Sequence, residues 1–209
     1  MQYIDPSGRL MTCGSFHALA TVERDNDSWV VVMNGAGKGF CSGLDLTDVG
    51  LPPNIEGLPM SRIAIRAMET MSDLVPLLRS MPQPVIAKIH GIATAAGCQL
   101  TSMCDLAVAA DDSRFALPGV NIGLFCSTPA VGVARNIGRK RAMEMLLTGE
   151  LVDARTALEW GLINRAVPAA RLDAVERDLE GQGLRLKVWD CYRPLSVQKK
   201  LPQLKQYLD

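Results

Sequence analysis

The sequence is poor in the residues that would announce a specialised role. Of 209 residues only two are histidine, aromatic side chains make up 5%, and 22 Lys+Arg stand against 22 Asp+Glu. Without a basic excess there is no field to release counterions from a phosphate backbone, so nucleic acid is not an expected partner. No apolar run reaches the roughly 20 residues a bilayer crossing needs, because Gly, Pro or charge breaks each one, and no membrane role is expected. Met1 to Leu10 lacks a basic start leading into an apolar stretch, so no signal peptide is read there. The six cysteines, Cys13, Cys41, Cys98, Cys104, Cys126 and Cys191, stand singly in apolar surroundings with no CxxC spacing. With only His17 and His90 to join them, no metal site is expected, and the reading is of reduced thiols in a cytoplasmic protein.

What is present is apolar and ordered. Hydrophobic residues make up 48% of the chain, and a fold of about this length hides roughly 70% of its extended surface, so the core needs no disulfide or metal. Trp29 to Met33, Pro84 to His90 and Asp105 to Ala110 are short apolar runs, expected of strands buried on both faces. Small-residue turns and helical patterns follow them. Helices are expected over Phe16 to Arg24, from Met60 with Pro76 as a kink or stop, from about Ala96, over Pro129 to Asn136, over Arg139 to Leu147, and from about Asp153 to Trp160 with Gly161 as the stop. Leu162 to Val167 reads as a short strand. Strand, glycine turn and helix in repeated order predict an α/β layered fold.

Two strand-to-turn junctions carry the most information. In WVVVMNGAGKGFCSGLDL, glycines at 35, 37, 39 and 43 permit tight bends and open backbone N–H groups. A dinucleotide fingerprint fails there because Phe40 stands where a small residue is required, and no Gly-Lys-Ser/Thr completes a phosphate loop. In KIHGIATAAGCQL a helix opens near Ala96, with free N–H groups and its positive dipole end at the start. Two such N–H sources facing one point make an oxyanion hole, worth about 3 kcal/mol per donor. Small residues that merely allow close helix–strand packing are the alternative.

These junctions, together with PVIAKIHGIATAAGCQLTSMCDLAVAADDSRFALPGVNIGL and RAMEMLLTGELVDARTALEWGLINRAVP, resemble the crotonase (enoyl-CoA hydratase/isomerase) superfamily over Val30 to Pro168. The resemblance implies a spiral of ββα units that binds an acyl-CoA thioester and polarises its carbonyl, coenzyme A entering as part of the substrate with no separate cofactor. It implies oxyanion N–H groups from Leu44 and Ala96, and a coenzyme A groove along Leu44, Asp45, Leu46 and Thr47. It also implies a homo-oligomer, trimeric in the family. Carried over residue by residue, the two hydratase glutamates fall on Gln99 and Gly119. Glutamine does not take a proton near neutral pH and glycine has no side chain, so standard hydration is not expected. The text is similar to the enoyl-CoA hydratase domain-containing subgroup that shares this lack. Some superfamily members carry a carboxylate at the position of Ser127, which makes Ser127 and its neighbour Cys126 candidates for the chemistry. A helix start at Ser127-Thr128-Pro129 is the structural alternative. His90 is read chiefly as structural.

Both ends depart from the family. The first strand and its coenzyme A loop are not evident before Trp29, and no closing helices follow Pro168, so exposed apolar surface is expected there. Two segments are therefore expected: a crotonase-like core over 1–168 and an αβ tail over 169–209. In the tail, Leu172 to Leu179 reads as a helix and Leu184 to Trp189 alternates as a half-buried strand does. LDAVERDLEGQGLRLKVWDCYRPLSVQKKL resembles a fragment of the zinc D-alanyl-D-alanine dipeptidases, Arg193 matching their Tyr-Arg-Pro motif. No His follows Arg193, so three protein ligands for a catalytic zinc are not assembled. The leading expectation is an acyl-CoA-binding family member; a non-catalytic acyl-CoA binder or inactive remnant is the alternative.

Overall fold

The computed structural model describes residues 3–4, 10–11, 29–35, 37–43, 74–174, 177 and 186–190. Ten strands lie within them: β1 (Tyr3–Ile4), β2 (Leu10–Met11), β3 (Val30–Asn34), β4 (Val85–Ile89), β5 (Ile92–Thr94), β6 (Leu106–Ala110), β7 (Arg114–Ala116), β8 (Val152–Asp153), β9 (Arg165–Val167) and β10 (Leu186–Asp190). The helices are α1 (Ala96–Met103), α2 (Ser127–Asn136), α3 (Arg139–Thr148) and α4 (Ala154–Trp160), with 3-10 turns at Pro118–Ile122 and Ala169–Arg171. Residues 74–80 are helical as well, so the chain continues helical beyond Pro76 instead of stopping there. The expected helix over Phe16 to Arg24, the start of the one from Met60 and half of Leu172 to Leu179 lie outside the described residues.

The apolar runs form an all-parallel sheet in the order β10-β3-β4-β6-β9, and β5-β7-β8 form a second sheet in which only β7 and β8 are antiparallel. Successive segments visit both sheets: β4 leads to β5 and then α1, and β6 leads to β7 and then α2. After β3, Cys41 makes a single parallel bridge to Ala93 of β5. This is the ββα grammar, one long strand and one short strand before α1 and again before α2. The core between the elements joins Val31 and Met33 of β3, Ala87 and Ile89 of β4, Phe115 of β7 and Met145 of α3. Trp29 is 64% exposed and stands outside the strand that the sequence pattern began with it.

Side-chain bonds to backbone fix the short connections. Asn164 Oδ1 accepts from Ala107 N at 2.8 Å, and Asn164 N donates to Ala107 O at 2.8 Å, which docks the chain before β9 onto β6. Asn136 Nδ2 donates to Ser102 O at 2.8 Å and ties α2 to α1. Asp153 caps α4, accepting from Thr156 N at 2.7 Å, and Gly161 ends that helix at φ +87°, where a side chain would be strained. Lys88, buried on β4, ion-pairs Asp173 at 2.9 Å. Residues past 168 thus reach the core, through buried Leu172, through Asp173 and through β10, which lies in register along the whole of β3 from Leu186 opposite Val30 to Asp190 opposite Asn34. Among the described residues no helix is long and apolar enough to cross a membrane.

Candidate active site

The start of α1 is built by backbone contacts from three segments. Thr94 N donates to Cys41 O at 2.9 Å, Cys41 N donates to Ile92 O at 3.0 Å, and Ala95 N donates to Ala116 O at 3.0 Å. The Thr94 hydroxyl adds a bond to Ser42 O at 3.0 Å. Ala95, the residue before the helix, is held at φ +50° and ψ −111°. An alanine is rarely found there, at a cost of roughly 1–3 kcal/mol, and it persists because the neighbouring strands over-determine the backbone. Gly97 is glycine for a steric reason: a Cβ on it would overlap Cys41 O. The absence of side chain lets α1 lie directly on the loop that runs toward Leu44.

No side chain caps α1 and no acid stands in its first turn. The first intrahelical bond is Gln99 N to Ala95 O, so the N–H groups ahead of it lie at the positive end of the helix dipole without an intrahelical acceptor. That end borders a cavity of about 300 Å³. Ala96, Gln99, Gly119, Cys126 and Ser127, all singled out from the sequence, line it together. Pro118, Ile122, Leu124 and Phe125 supply apolar wall that sequence reasoning did not assign to the site. Leu44, Asp45, Leu46 and Thr47 lie outside the described residues. Gly43, the neighbour of Leu44, sits at φ +109° with its Cα side toward Ala95 and Ala96 N.

Each polar group in the wall has a definite setting. Gln99 is buried on α1, one turn after its start. Gly119 belongs to the 3-10 turn and is packed against Leu124 O and Cys126 Sγ. Cys126 is half-buried immediately before α2; burial pushes its thiol pKa up, while a hydrogen bond from Gly119 N–H draws it back. Ser127 is the first residue of α2 and makes no capping bond, so the flanking cap position expected at Ser127 belongs to Cys126. Cys98 is more deeply withdrawn. Cys98 donates to Ala93 O and Ala116 O, at 3.0 and 3.3 Å, and burial pushes its pKa up to about 12. Burial also takes Cys104 to about 12. Cys98, Cys104 and Cys126 form no disulfide. His90 Nε2 donates to Gly37 O at 2.9 Å and pins the glycine loop after β3, a structural role. Cys13, Cys191, His17 and Arg193 fall outside the described residues, and within those residues no three His, Cys, Asp or Glu groups gather as a metal site.

A second cleft, about 330 Å³, is lined by polar groups including Arg114, Glu144, Glu150 and Asp153. It lies away from α1 and holds none of the residues that the junctions pointed to.

The enoyl-CoA hydratase/isomerase family model matches residues 11–183. The human enoyl-CoA hydratase domain-containing protein 3, named as mitochondrial, is 40% identical over 184 residues, covering 85% of this chain and 57% of that protein. Its rat counterpart is 45% identical over 147 residues, 70% of this chain and 47% of its own length. The crystal structure of enoyl-CoA hydratase from Mycobacterium smegmatis superposes with a TM-score of 0.71 at 44% identity, covering 79% of this chain and 62% of that one. The chain spans about half the length of the curated relatives it matches. With its ββα order and a match across most of its length, the chain has a crotonase-like α/β fold and belongs to the enoyl-CoA hydratase/isomerase family.

Proposed function

We propose that the protein binds an acyl-CoA thioester with the thioester carbonyl at the start of α1 and the acyl chain in the cavity beside it. The observation that carries this reading is the convergence of Ala96, Gln99, Gly119, Cys126 and Ser127 on one cavity at an uncapped helix end. Ala96 N–H is the assigned donor to the carbonyl oxygen, and Leu44 N–H the second, in keeping with the approach of Gly43 to Ala96. Donors fixed before the reaction stabilise charge developing on that oxygen, by about 3 kcal/mol each. Leu44 to Thr47 are assigned to the coenzyme A moiety, and no separate cofactor is needed.

With Gln99 and Gly119 at the positions that the family resemblance gives to the glutamates, those positions hold no carboxylate pair to activate and deliver water. The reading is therefore of carbonyl polarisation without standard hydratase turnover. The fatty-acid and lyase associations of the family, a homotrimeric assembly and a cytoplasmic location belong to the same proposal. The free thiols fit a reducing compartment but do not tell the cytoplasm from the compartment in the animal relatives' names.

Two measurements on the full chain test it. Titration calorimetry with butyryl-CoA is expected to give saturable binding, and absence of binding refutes the reading. Crotonyl-CoA hydration, followed by loss of the enoyl absorbance and by product chromatography, is expected at background rate. Catalytic turnover to the 3-hydroxyacyl product would show that Gln99 and Gly119 do not disable the site.

A further inference from the structure

The cavity contains a nucleophile that carbonyl polarisation alone leaves unused. A Cβ on Gly119 would come 2.8 Å from Cys126 Sγ and 2.5 Å from Leu124 O. The sulfur therefore fills the space in which a side chain at 119 would begin. Ala96 at the start of α1 and Gln99 line the same cavity. A thiol facing a pocket that receives an enoyl thioester meets an electrophile, because the carbonyl withdraws electrons from the double bond and leaves the acyl β-carbon open to attack by sulfur.

From this arrangement we infer that Cys126 captures α,β-unsaturated acyl thioesters covalently, by reversible conjugate addition of its thiol. The inference rests on the acyl-CoA reading above and narrows it to enoyl substrates. The sulfur forms a bond to the β-carbon as the carbon–carbon π bond breaks. The displaced electron pair moves onto the thioester oxygen, next to the assigned Ala96 N–H, and returns to the α-carbon as that carbon takes the proton released by the thiol. The product is a saturated acyl-CoA joined to Cys126 by a thioether; no atom is lost, and no water, oxidant or reductant is consumed. The deeply buried Cys98, bonded to two carbonyls, is not competent for this step.

The test is intact-mass spectrometry of the full chain after incubation with crotonyl-CoA and acid quenching, followed by peptide mapping. A gain equal to the whole mass of crotonyl-CoA, located on Cys126, is expected. It should be absent from Cys126→Ala, retained in Cys41→Ala, and absent with butyryl-CoA, a comparison that needs no variant to fold. A gain of the acyl group alone would indicate acyl transfer and overturn the addition, as would label on another cysteine. Butyryl-CoA binding with no crotonyl-CoA adduct overturns this inference and leaves the acyl-CoA reading standing, whereas neither binding nor adduct removes both.

Discussion

Gly119 has no room for a side chain, and this decides whether hydratase machinery can be restored by substitution. Gln99→Glu places a carboxylate in the cavity wall with little change of volume, but Gly119→Glu drives Cβ into Leu124 O and Cys126 Sγ. Overpacking of this kind costs about 1–3 kcal/mol. The double variant is therefore expected to melt several degrees below the parent, at roughly 3 °C per kcal/mol for this length, and to hydrate crotonyl-CoA no faster than Gln99→Glu alone. A large gain in hydration specific to the double variant would show that the 3-10 turn yields. The sequence identified Gly119 as a missing acid but did not show that another group stands in its place. That contact depends on a turn returning residue 126 to residue 119, which no local periodicity records.

The elements were legible in proportion to their length and burial. The runs behind β3 and β4 stood out because both faces are covered, the run behind β6 stood out although Leu106 is exposed, and the start of α1 followed from small residues. The second sheet was missed. Its strands have two or three residues, too few to display alternation, and Ile92 in β5 and Leu151 before β8 are exposed in spite of being apolar. Caps were easier, since Asp153 and Gly161 have local causes. The bonds to Thr156 hold the Asp153 carboxyl below its usual pKa range, the backbone bond chief among them. A carboxyl depressed in the folded state contributes stability that is present above its unfolded pKa and is lost as pH falls through the folded value. Asp153→Ala is accordingly expected to lower the urea midpoint near pH 7, with the difference from the parent closing toward pH 3. An unchanged difference across that range would assign the effect to something other than the ionised cap.

For the whole molecule, the informative contrast is between an alternation that the sequence displayed and a partner that it concealed. Leu184 to Trp189 read as a strand, and β10 occupies Leu186–Asp190, yet nothing local states that it pairs with β3 across more than 150 intervening residues. The family match likewise runs past Pro168 to residue 183. The described residues that line the cavity, by contrast, fall between residues 42 and 129, where motif order and spacing were dense. Deleting residues 184–209 removes β10 and leaves the N–H and C=O groups of one β3 edge unpaired, an invitation to pairing between chains. That variant is expected to unfold at lower temperature and to scatter light at concentrations where the full chain is monodisperse; equal monodispersity would mean that β10 does not protect the edge. The same pairing has a consequence in time. A chain leaving the ribosome exposes β3 more than 150 residues before β10, and parallel pairing between such distant segments is slow to form. Until β10 emerges the nascent protein therefore carries an unpaired strand edge, the interval in which a chaperone has most to protect.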